Sequence, residues 1–193
     1  MKNPIYVVTD VEVDGAVPGE NSMLAFASVA ITETGEELDH FQTTINPLDD
    51  AKPDPLTMEW FKGQPEAYAA ATADPKPPID AILGYVNWVK SLDGSPIFVA
   101  HPLGMDGPWI DYYLRNFANI RLLKGPWVGE RLFYAGGMCL RSFAAAKLNW
   151  PIWDCSPENY SPEWLGNYRH THKAIEDARG YANLLKFLMN EYH

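Results

Sequence analysis

Five residues of this chain have side chains whose types and positions indicate one shared site: Asp10, Glu12, Asp106, His172 and Asp177. Each of the four acids lies where a folded domain usually places an apolar side chain. Carboxylates that are buried together repel each other and need a compensating cation. Oxygen ligands suit Mg²⁺ or Mn²⁺, so this set predicts a divalent metal site with a histidine beside it.

The first two acids close a predicted strand. Residues 5–12 are rich in β-branched and aromatic side chains, which is typical of a strand. Side chains of a strand alternate between its two faces, so Asp10 and Glu12 point the same way. Asp-x-Glu is a common pattern, and taken alone it more often marks a frayed strand end with solvated acids.

Asp177 begins an apolar row of a predicted helix over residues 172–190, and Tyr181, Leu184 and Leu188 continue that row. A carboxylate in such a row needs a partner. His172 lies just before it, where a loop would fold the ring over the same helix end. Without the other motifs, the pair fits a capping histidine and an acid stabilised by the helix dipole better.

Asp106 follows a predicted buried strand at residues 96–100 and opens a predicted helix at residues 106–117. Ligand sites of open α/β sheets lie at the carboxyl ends of such strands. Aspartate is also a preferred N-cap residue, so the local sequence leaves both interpretations open.

Together these segments resemble the motifs of the DEDDh family of 3′→5′ exonucleases. Asp10 and Glu12 match its Asp-x-Glu motif, residues 100–106 have the spacing of Ala-His-Asn-x-x-Phe-Asp, and residues 172–178 match His-x-Ala-x-x-Asp-Ala. The resemblance covers the chain from Ile5 to Tyr192 and assigns it to the histidine branch of the family.

Two departures and one further likeness refine the resemblance. Pro102 stands where many members have Asn, and Met105 where many have Phe, which affects the wall of the site more than its ligands. The stretch from Pro55 to Gln64 resembles the Thr-x-x-Trp-x-x-x-Gln segment of DexA-type exoribonucleases, and oligoribonucleases carry a comparable tryptophan. Trp60 is therefore either a platform for a terminal base, worth about 1–3 kcal/mol, or a core residue of a short helix.

The resemblance implies an α/β, ribonuclease H-like fold, with three antiparallel strands followed by parallel strands in a mixed sheet flanked by helices. It also implies two Mg²⁺ or Mn²⁺ ions as cofactors. Asp10 would bridge both ions. The ion that carries the attacking water would be held by Glu12 and Asp177, and the other ion by Asp106. His172 would take the proton from the water. Either Asp10→Asn or Asp177→Asn is expected to abolish cleavage and to leave the metal-free fold intact or more stable.

The substrate implied by the family is the 3′ end of a single-stranded RNA or DNA. The residues expected to contact it are Val13, Trp60, His101, Arg169 and Lys173, while exposed cations such as the last two are more often merely solvated. The preferred function is exonucleolytic release of 5′-mononucleotides, with RNA slightly favoured over DNA. The alternatives are a DNA-trimming or proofreading exonuclease and a non-catalytic nucleic-acid-binding module.

Composition sets outer limits. A chain of 193 residues with 47% hydrophobic content is expected to form one domain over residues 1–193. It has no apolar run that would cross a membrane and no signal-peptide pattern, so a cytoplasmic location with reduced Cys139 and Cys155 is expected. The net charge of −10 disfavours a general duplex binder and favours a short substrate.

The segment from Asn149 to Tyr168 is rich in Trp, Pro and Tyr and lacks periodicity. Long irregular connections are uncommon unless they are functional. The segment is predicted to form a lid, a homodimer surface, or a rigid loop packed by its own aromatic side chains. The remaining predicted elements are strands at 23–32, 37–46 and 131–134 and helices at 55–71, 79–92 and 138–148.

Overall fold

A mixed sheet forms the centre of the computed structural model, which describes residues 3–123 and 130–191. Tyr192, where the predicted resemblance ends, lies outside the described residues. Within them, five strands pair in the order β3-β2-β1-β4-β5. The strands are β1 (Pro4–Val13), β2 (Met23–Ile31), β3 (Glu37–Thr44), β4 (Ser95–Ala100) and β5 (Met138–Cys139). β2 pairs antiparallel with β1 and with β3, whereas β4 pairs parallel with β1 and with β5, which confirms the predicted ribonuclease H-like sheet.

Helices cover both faces of this sheet. In chain order they are α1 (Pro55–Lys62), α2 (Pro65–Thr72), α3 (Pro78–Ser91), α4 (Leu103–Ala118), α5 (Leu140–Leu148) and α6 (Ala174–Lys186). A 3₁₀ turn (Ile152–Asp154) follows α5, and a π-helical turn (Phe187–Glu191) continues α6. None of the described helices is both long and apolar enough to span a membrane.

Strand β1 separates two apolar cores because its side chains alternate between the faces of the sheet. Val7 packs in a cluster with Tyr85 of α3 and Trp109 of α4. Val8 packs in the opposite cluster with Leu140 of α5 and Leu185 of α6. Asp10 and Glu12 have the same parity as Val8, so they point toward the side of the sheet that α6 covers.

The carboxyl end of β1 lies beside an opening in the sheet. Its parallel pairing with β4 ends at Thr9 and Ala100, where the chain leaves the sheet and turns into α4. β1 continues to Val13, paired there with β2. The acidic end of β1 therefore borders the turn between β4 and α4.

Several predicted boundaries are corrected. The single helix expected at 55–71 is two helices, because Pro65 has no backbone N–H with which to continue α1 beyond Gly63. No strand forms at 131–134; Leu132 and Phe133 instead donate backbone hydrogen bonds to Arg121 and Leu122. The fifth strand of the described sheet is β5, and α5 begins after it rather than at residue 138.

The ends of two other helices also differ from expectation. Helix α4 begins at Leu103 with Pro102 as its N-cap, so Asp106 lies inside the first turn and is not a capping residue. Helix α6 begins at Ala174, which leaves His172 in the preceding loop, as one of the sequence interpretations requires.

Candidate active site

A cleft of about 540 Å³ opens at the carboxyl ends of β1 and β4. The five residues with which the sequence analysis began all line it: Asp10, Glu12, Asp106, His172 and Asp177. The acidic cluster, meaning the four carboxylates among them, is supplied by β1, by the first turn of α4 and by the first turn of α6. Their exposed fractions are 8%, 7%, 4% and 3% in chain order, so each lies under the surface of the cleft.

Three carboxylates meet closely. One oxygen each from Asp10, Glu12 and Asp177 lies within 4.8 Å of the others. Strand alternation brings the first two together, and α6 packs on β1 and β2 so that its first turn reaches the same point. Carboxylates on two different elements thereby come within reach of one cation.

Asp106 approaches from α4. Its Oδ2 atom is buried and has no hydrogen-bond partner among the described residues. Burial raises the pKa of Asp106 to about 7, although backbone amides, including that of Val11, oppose the shift. An unpaired buried carboxylate oxygen is costly, so the structure leaves this atom in need of a ligand.

The pKa values of the two acids of β1, Asp10 and Glu12, are strongly raised. Burial, together with the charges of Glu12, Asp106 and Asp177, raises the pKa of Asp10 well above its usual range. Burial and the charges of Asp177 and Asp106 raise the pKa of Glu12 to about 9. Without a cation, this cluster cannot be fully ionised at neutral pH.

Asp177 is fixed by the loop that precedes α6. Its Oδ1 accepts the backbone N–H of Thr171 at 2.9 Å, and its Oδ2 accepts the backbone N–H of His172 at 2.9 Å. His172 has a φ of 56°, the left-handed conformation, which turns the chain so that both amides face the carboxylate. The carboxylate thus ties the loop to the helix, and its remaining lone pairs are free to bind an ion.

The side chain of His172 projects into the cleft beside Trp60. The two rings lie edge to face with centroids 4.7 Å apart. Burial and the neighbouring charge of His170 lower the pKa of His172 below its ordinary value. The ring is therefore neutral at neutral pH, which is the form that accepts a proton.

His170 is a functional candidate that the sequence analysis missed. Its Nδ1 atom lies 3.0 Å from Oδ2 of Asp177, and its ring centroid is 4.3 Å from that of His172. Burial lowers the pKa of His170, but the hydrogen bond and charge of Asp177 outweigh burial and the net shift is upward. The signal in the sequence was the His-Thr-His triplet, of which only the second histidine fits the spacing of the family motif.

The predicted substrate-contacting residues are divided by the structure. Val13, Trp60 and His101 line the cleft, whereas Arg169 and Lys173 are not among its lining residues. Arg169 lies on the neighbouring surface, and Lys173 points toward α2, where its Nζ is 3.4 Å from Glu66. The contacts of these five residues with a substrate stay predictions.

His101 has a supporting position in the wall of the cleft. Its Nε2 is 2.9 Å from the hydroxyl of Tyr160, and its ring stacks on Tyr181 with centroids 4.6 Å apart. Burial lowers the pKa of His101 to about 4, so the ring is neutral. This residue joins the turn after β4 to α6 and to the segment before α6.

The donor set fits a divalent cation such as Mg²⁺ or Mn²⁺. All four members of the acidic cluster offer hard carboxylate oxygens, which these ions prefer over nitrogen or sulfur. One oxygen of Asp106 is unpaired, and the pKa values of Asp10 and Glu12 are raised by burial and by the charges of the neighbouring carboxylates. A bound cation would remove both penalties.

Solved structures with the same fold are exonucleases. The nuclease domain of 3′hExo, a DEDDh family member bound to rAMP, has a TM-score of 0.67 at 10% identity, with 99% of this chain and 94% of that chain covered. E. coli exonuclease I in complex with a dT13 oligonucleotide has a TM-score of 0.68 at 15% identity, with 98% of this chain and 41% of that chain covered. At these identities, the likeness shows the fold alone.

One protein that is similar in sequence is also an exonuclease. No family model matches the chain. The 3′-5′ DNA exonuclease Cap18 of Escherichia coli is 25% identical over 191 residues, which are 95% of this chain and 91% of that protein. The chain is therefore similar to 3′→5′ exonucleases over nearly its whole length, which supports the predicted resemblance to the DEDDh family and the predicted enzyme class.

Proposed function

We propose that this chain is a metal-dependent exonuclease of the DEDDh type, which removes nucleotides from the free 3′ end of single-stranded DNA and releases 5′-mononucleotides. The observation that carries the proposal is the convergence of the acidic cluster and His172 in one cleft. DNA is placed first because Cap18, which matches nearly the whole chain, is named a DNA exonuclease.

RNA is the second candidate. It is favoured by the structural likeness to the 3′-exonuclease solved with a histone mRNA stem-loop, which has a TM-score of 0.64 at 11% identity with 100% of this chain covered. The slight preference for RNA in the sequence analysis stays a prediction.

The acidic cluster would hold the metal. Two divalent ions held by Asp10, Glu12, Asp106 and Asp177 would supply Lewis acidity toward the phosphate and lower the pKa of a bound water. The protein's part is to hold these carboxylates in place before the ions arrive, which β1, α4 and α6 do.

His172 acts as the general base in this proposal. A ring nitrogen accepts a proton from the water that attacks phosphorus, and the bond between phosphorus and the 3′ oxygen of the preceding nucleotide breaks. The loop amides bound to Asp177 and the contact with Trp60 restrict the ring to the cleft. Its lowered pKa keeps it in the accepting form at neutral pH.

The terminal nucleotide lies on the β1 strand with its 3′-hydroxyl near Glu12. Trp60 is 41% exposed on the wall of the cleft and offers a ring face to the terminal base. The net charge of −10 is compatible with this mode of binding because few phosphates need to be held.

A time course on 5′-labelled strands of DNA and RNA with the same sequence, in Mg²⁺ and in Mn²⁺, tests the proposal. The expected result is a ladder that shortens by one nucleotide at a time and is faster on DNA. The matched control is Asp10→Asn, which should give no ladder. Cutting of a circular strand at the same rate would contradict the proposal, since an exonuclease needs an end.

A further inference from the structure

The cleft has two different ends. Trp60 and Phe61 of α1 line one end, and Phe61 packs with Leu24 and Ala25 on the β2 side of β1. Arg141, Ser156 and Pro157 line the other end. These residues belong to α5, which packs on β4 and β5, and to the segment that follows α5. The acidic end of β1 lies between the two.

This arrangement fixes the direction of a bound strand, given the proposed function. Glu12, beside the terminal 3′-hydroxyl, also borders a groove on the β2 side, so the terminal nucleotide lies toward α1. Asp106 follows β4, which lies on the opposite side of β1 from β2. The rest of the strand must therefore leave the cleft past Arg141 and Ser156.

The surface that the departing strand would meet is rigid. Arg141 donates from Nε to the carbonyl of Ile152 at 3.1 Å and from an Nη nitrogen to the carbonyl of Trp153 at 3.4 Å. Asn159 donates to the carbonyl of Asp154 at 2.9 Å. Trp150 and Tyr160 stack with their ring planes 14° apart, and Trp164 packs at a tilt against both rings.

Trp153 stands on this rigid turn with 73% of its side chain exposed. Its exposed indole makes no contribution to the core. The backbone carbonyl of Trp153 nevertheless accepts a hydrogen bond from Arg141, whose side chain lines the cleft. Ser156 and Pro157, three and four residues further on, line the cleft together with His170 and His172, so the turn borders the end of the cleft at which α6 begins.

We propose that Trp153 is a stacking platform for a base on the 5′ side of the scissile phosphate, with Arg141 as the residue that positions it. The inference rests on the proposed function and adds a second base contact to the one at Trp60. Stacking on a preset ring tolerates any base, and it supplies affinity that a protein with a net charge of −10 does not obtain from many phosphate contacts.

The test compares the affinities of the wild-type protein and its variants for a labelled oligothymidylate. Binding is measured by fluorescence anisotropy in Ca²⁺, under conditions in which no product forms. Trp153→Ala is expected to weaken binding by roughly 5- to 150-fold, the range for loss of one stacked base. Trp153→Phe should keep most of the affinity, whereas Trp153→Leu should lose it, because leucine is apolar but has no ring face. The matched control is Tyr134→Ala. Tyr134 is 46% exposed, and its backbone N–H donates to the carbonyl of Pro96 at the end of β4 that lies away from the cleft.

Hydrolysis of the p-nitrophenyl ester of thymidine 5′-monophosphate separates this inference from the proposed function. The ester carries a terminal nucleotide and no upstream base, so Trp153→Ala should cleave it at the wild-type rate. A wild-type protein that binds the oligonucleotide but cleaves neither substrate would refute the proposed function, and the binding series would still decide the role of Trp153.

Three results would overturn the inference. The first is unchanged oligonucleotide affinity of Trp153→Ala, and the second is equal affinity of the Phe and Leu variants. The third is a wild-type dimer in sedimentation that Trp153→Ala dissociates while oligonucleotide affinity stays constant. That last result would make the exposed indole a contact between two copies of the chain.

Discussion

Glu12→Gln should stabilise the metal-free protein at neutral pH although it inactivates the site. The pKa of Glu12 is raised from 4.5 to about 9 by burial and by the charges of Asp177 and Asp106. In the unfolded chain the group ionises as the pH rises through 4.5, while in the folded chain it keeps its proton. Its stabilising contribution is therefore fully present below pH 4.5 and is lost as the pH rises toward 9.

The size of the effect follows from this difference in pKa. Between pH 4.5 and pH 7 the wild-type protein loses about 3 kcal/mol of unfolding free energy through this group, at 1.36 kcal/mol per pH unit. Glutamine has nearly the same shape and does not titrate, so Glu12→Gln should be more stable than wild type by about that amount at pH 7 and nearly equal to it at pH 4. In melting temperature the gain at pH 7 is roughly 6–12 °C.

The assay is urea or thermal unfolding in EDTA at pH 4 and pH 7, repeated at pH 7 with excess Mg²⁺ or Mn²⁺. The control is Glu36→Gln, which removes the same charge from an exposed position. Metal should stabilise the wild type more than Glu12→Gln, because the variant lacks one ligand. The reasoning is refuted if both variants have the same stability in EDTA at pH 7, or if the gain of Glu12→Gln is as large at pH 4.

Three further predictions concern the same site. His172→Ala should lower the rate about 10²–10⁴-fold without weakening metal binding in a titration, since a lost general base leaves the ligands in place; an equal loss of metal affinity would assign His172 a different role. Asp177→Asn should abolish cleavage. Unlike Glu12→Gln, it should also cost about 1–3 kcal/mol of unfolding free energy, because an amide cannot accept from both loop N–H groups as the two carboxylate oxygens do. Urea unfolding in which the metal-free variant is as stable as wild type would contradict this. A 3′-phosphate on a single strand should block degradation, since it adds negative charge beside Glu12, whereas a 5′-phosphate should not; equal rates on both, measured on labelled strands, would contradict the proposed polarity.

For Asp177→Asn, the structure leads to a different expectation from the sequence. The sequence predicts that this variant, like Asp10→Asn, leaves the metal-free fold intact or more stable. The sequence shows one more repelling carboxylate at Asp177. The structure shows that the same carboxylate holds the backbone of Thr171 and His172, which is a stabilising role. Repulsion between carboxylates follows from their charge and can be inferred from the sequence. The hydrogen bonds that the Asp177 oxygens accept depend on the path of the loop before α6.

The sequence by itself determined the features that local periodicity controls. Alternation along β1 placed Asp10 and Glu12 on one face, and helical spacing placed Asp177 in a buried row with Tyr181 and Leu184. The mixed sheet was predicted through the family resemblance, and the strand–helix alternation after β3 agrees with it because such alternation favours parallel pairing.

The tertiary structure decided what depends on residues far apart in the chain. The fifth strand is Met138–Cys139 rather than 131–134, because the pairing available beside β4 decides between two short segments. Lys173 follows His172, the proposed general base, in sequence yet pairs with Glu66 of α2, because α6 turns it away from the cleft. His170 gained its candidate role because the loop before α6 folds back onto Asp177, and Trp153 gained its role from its contact with Arg141. Such positions carry no local periodic signal, since their environment exists only once the sheet has brought the segments together.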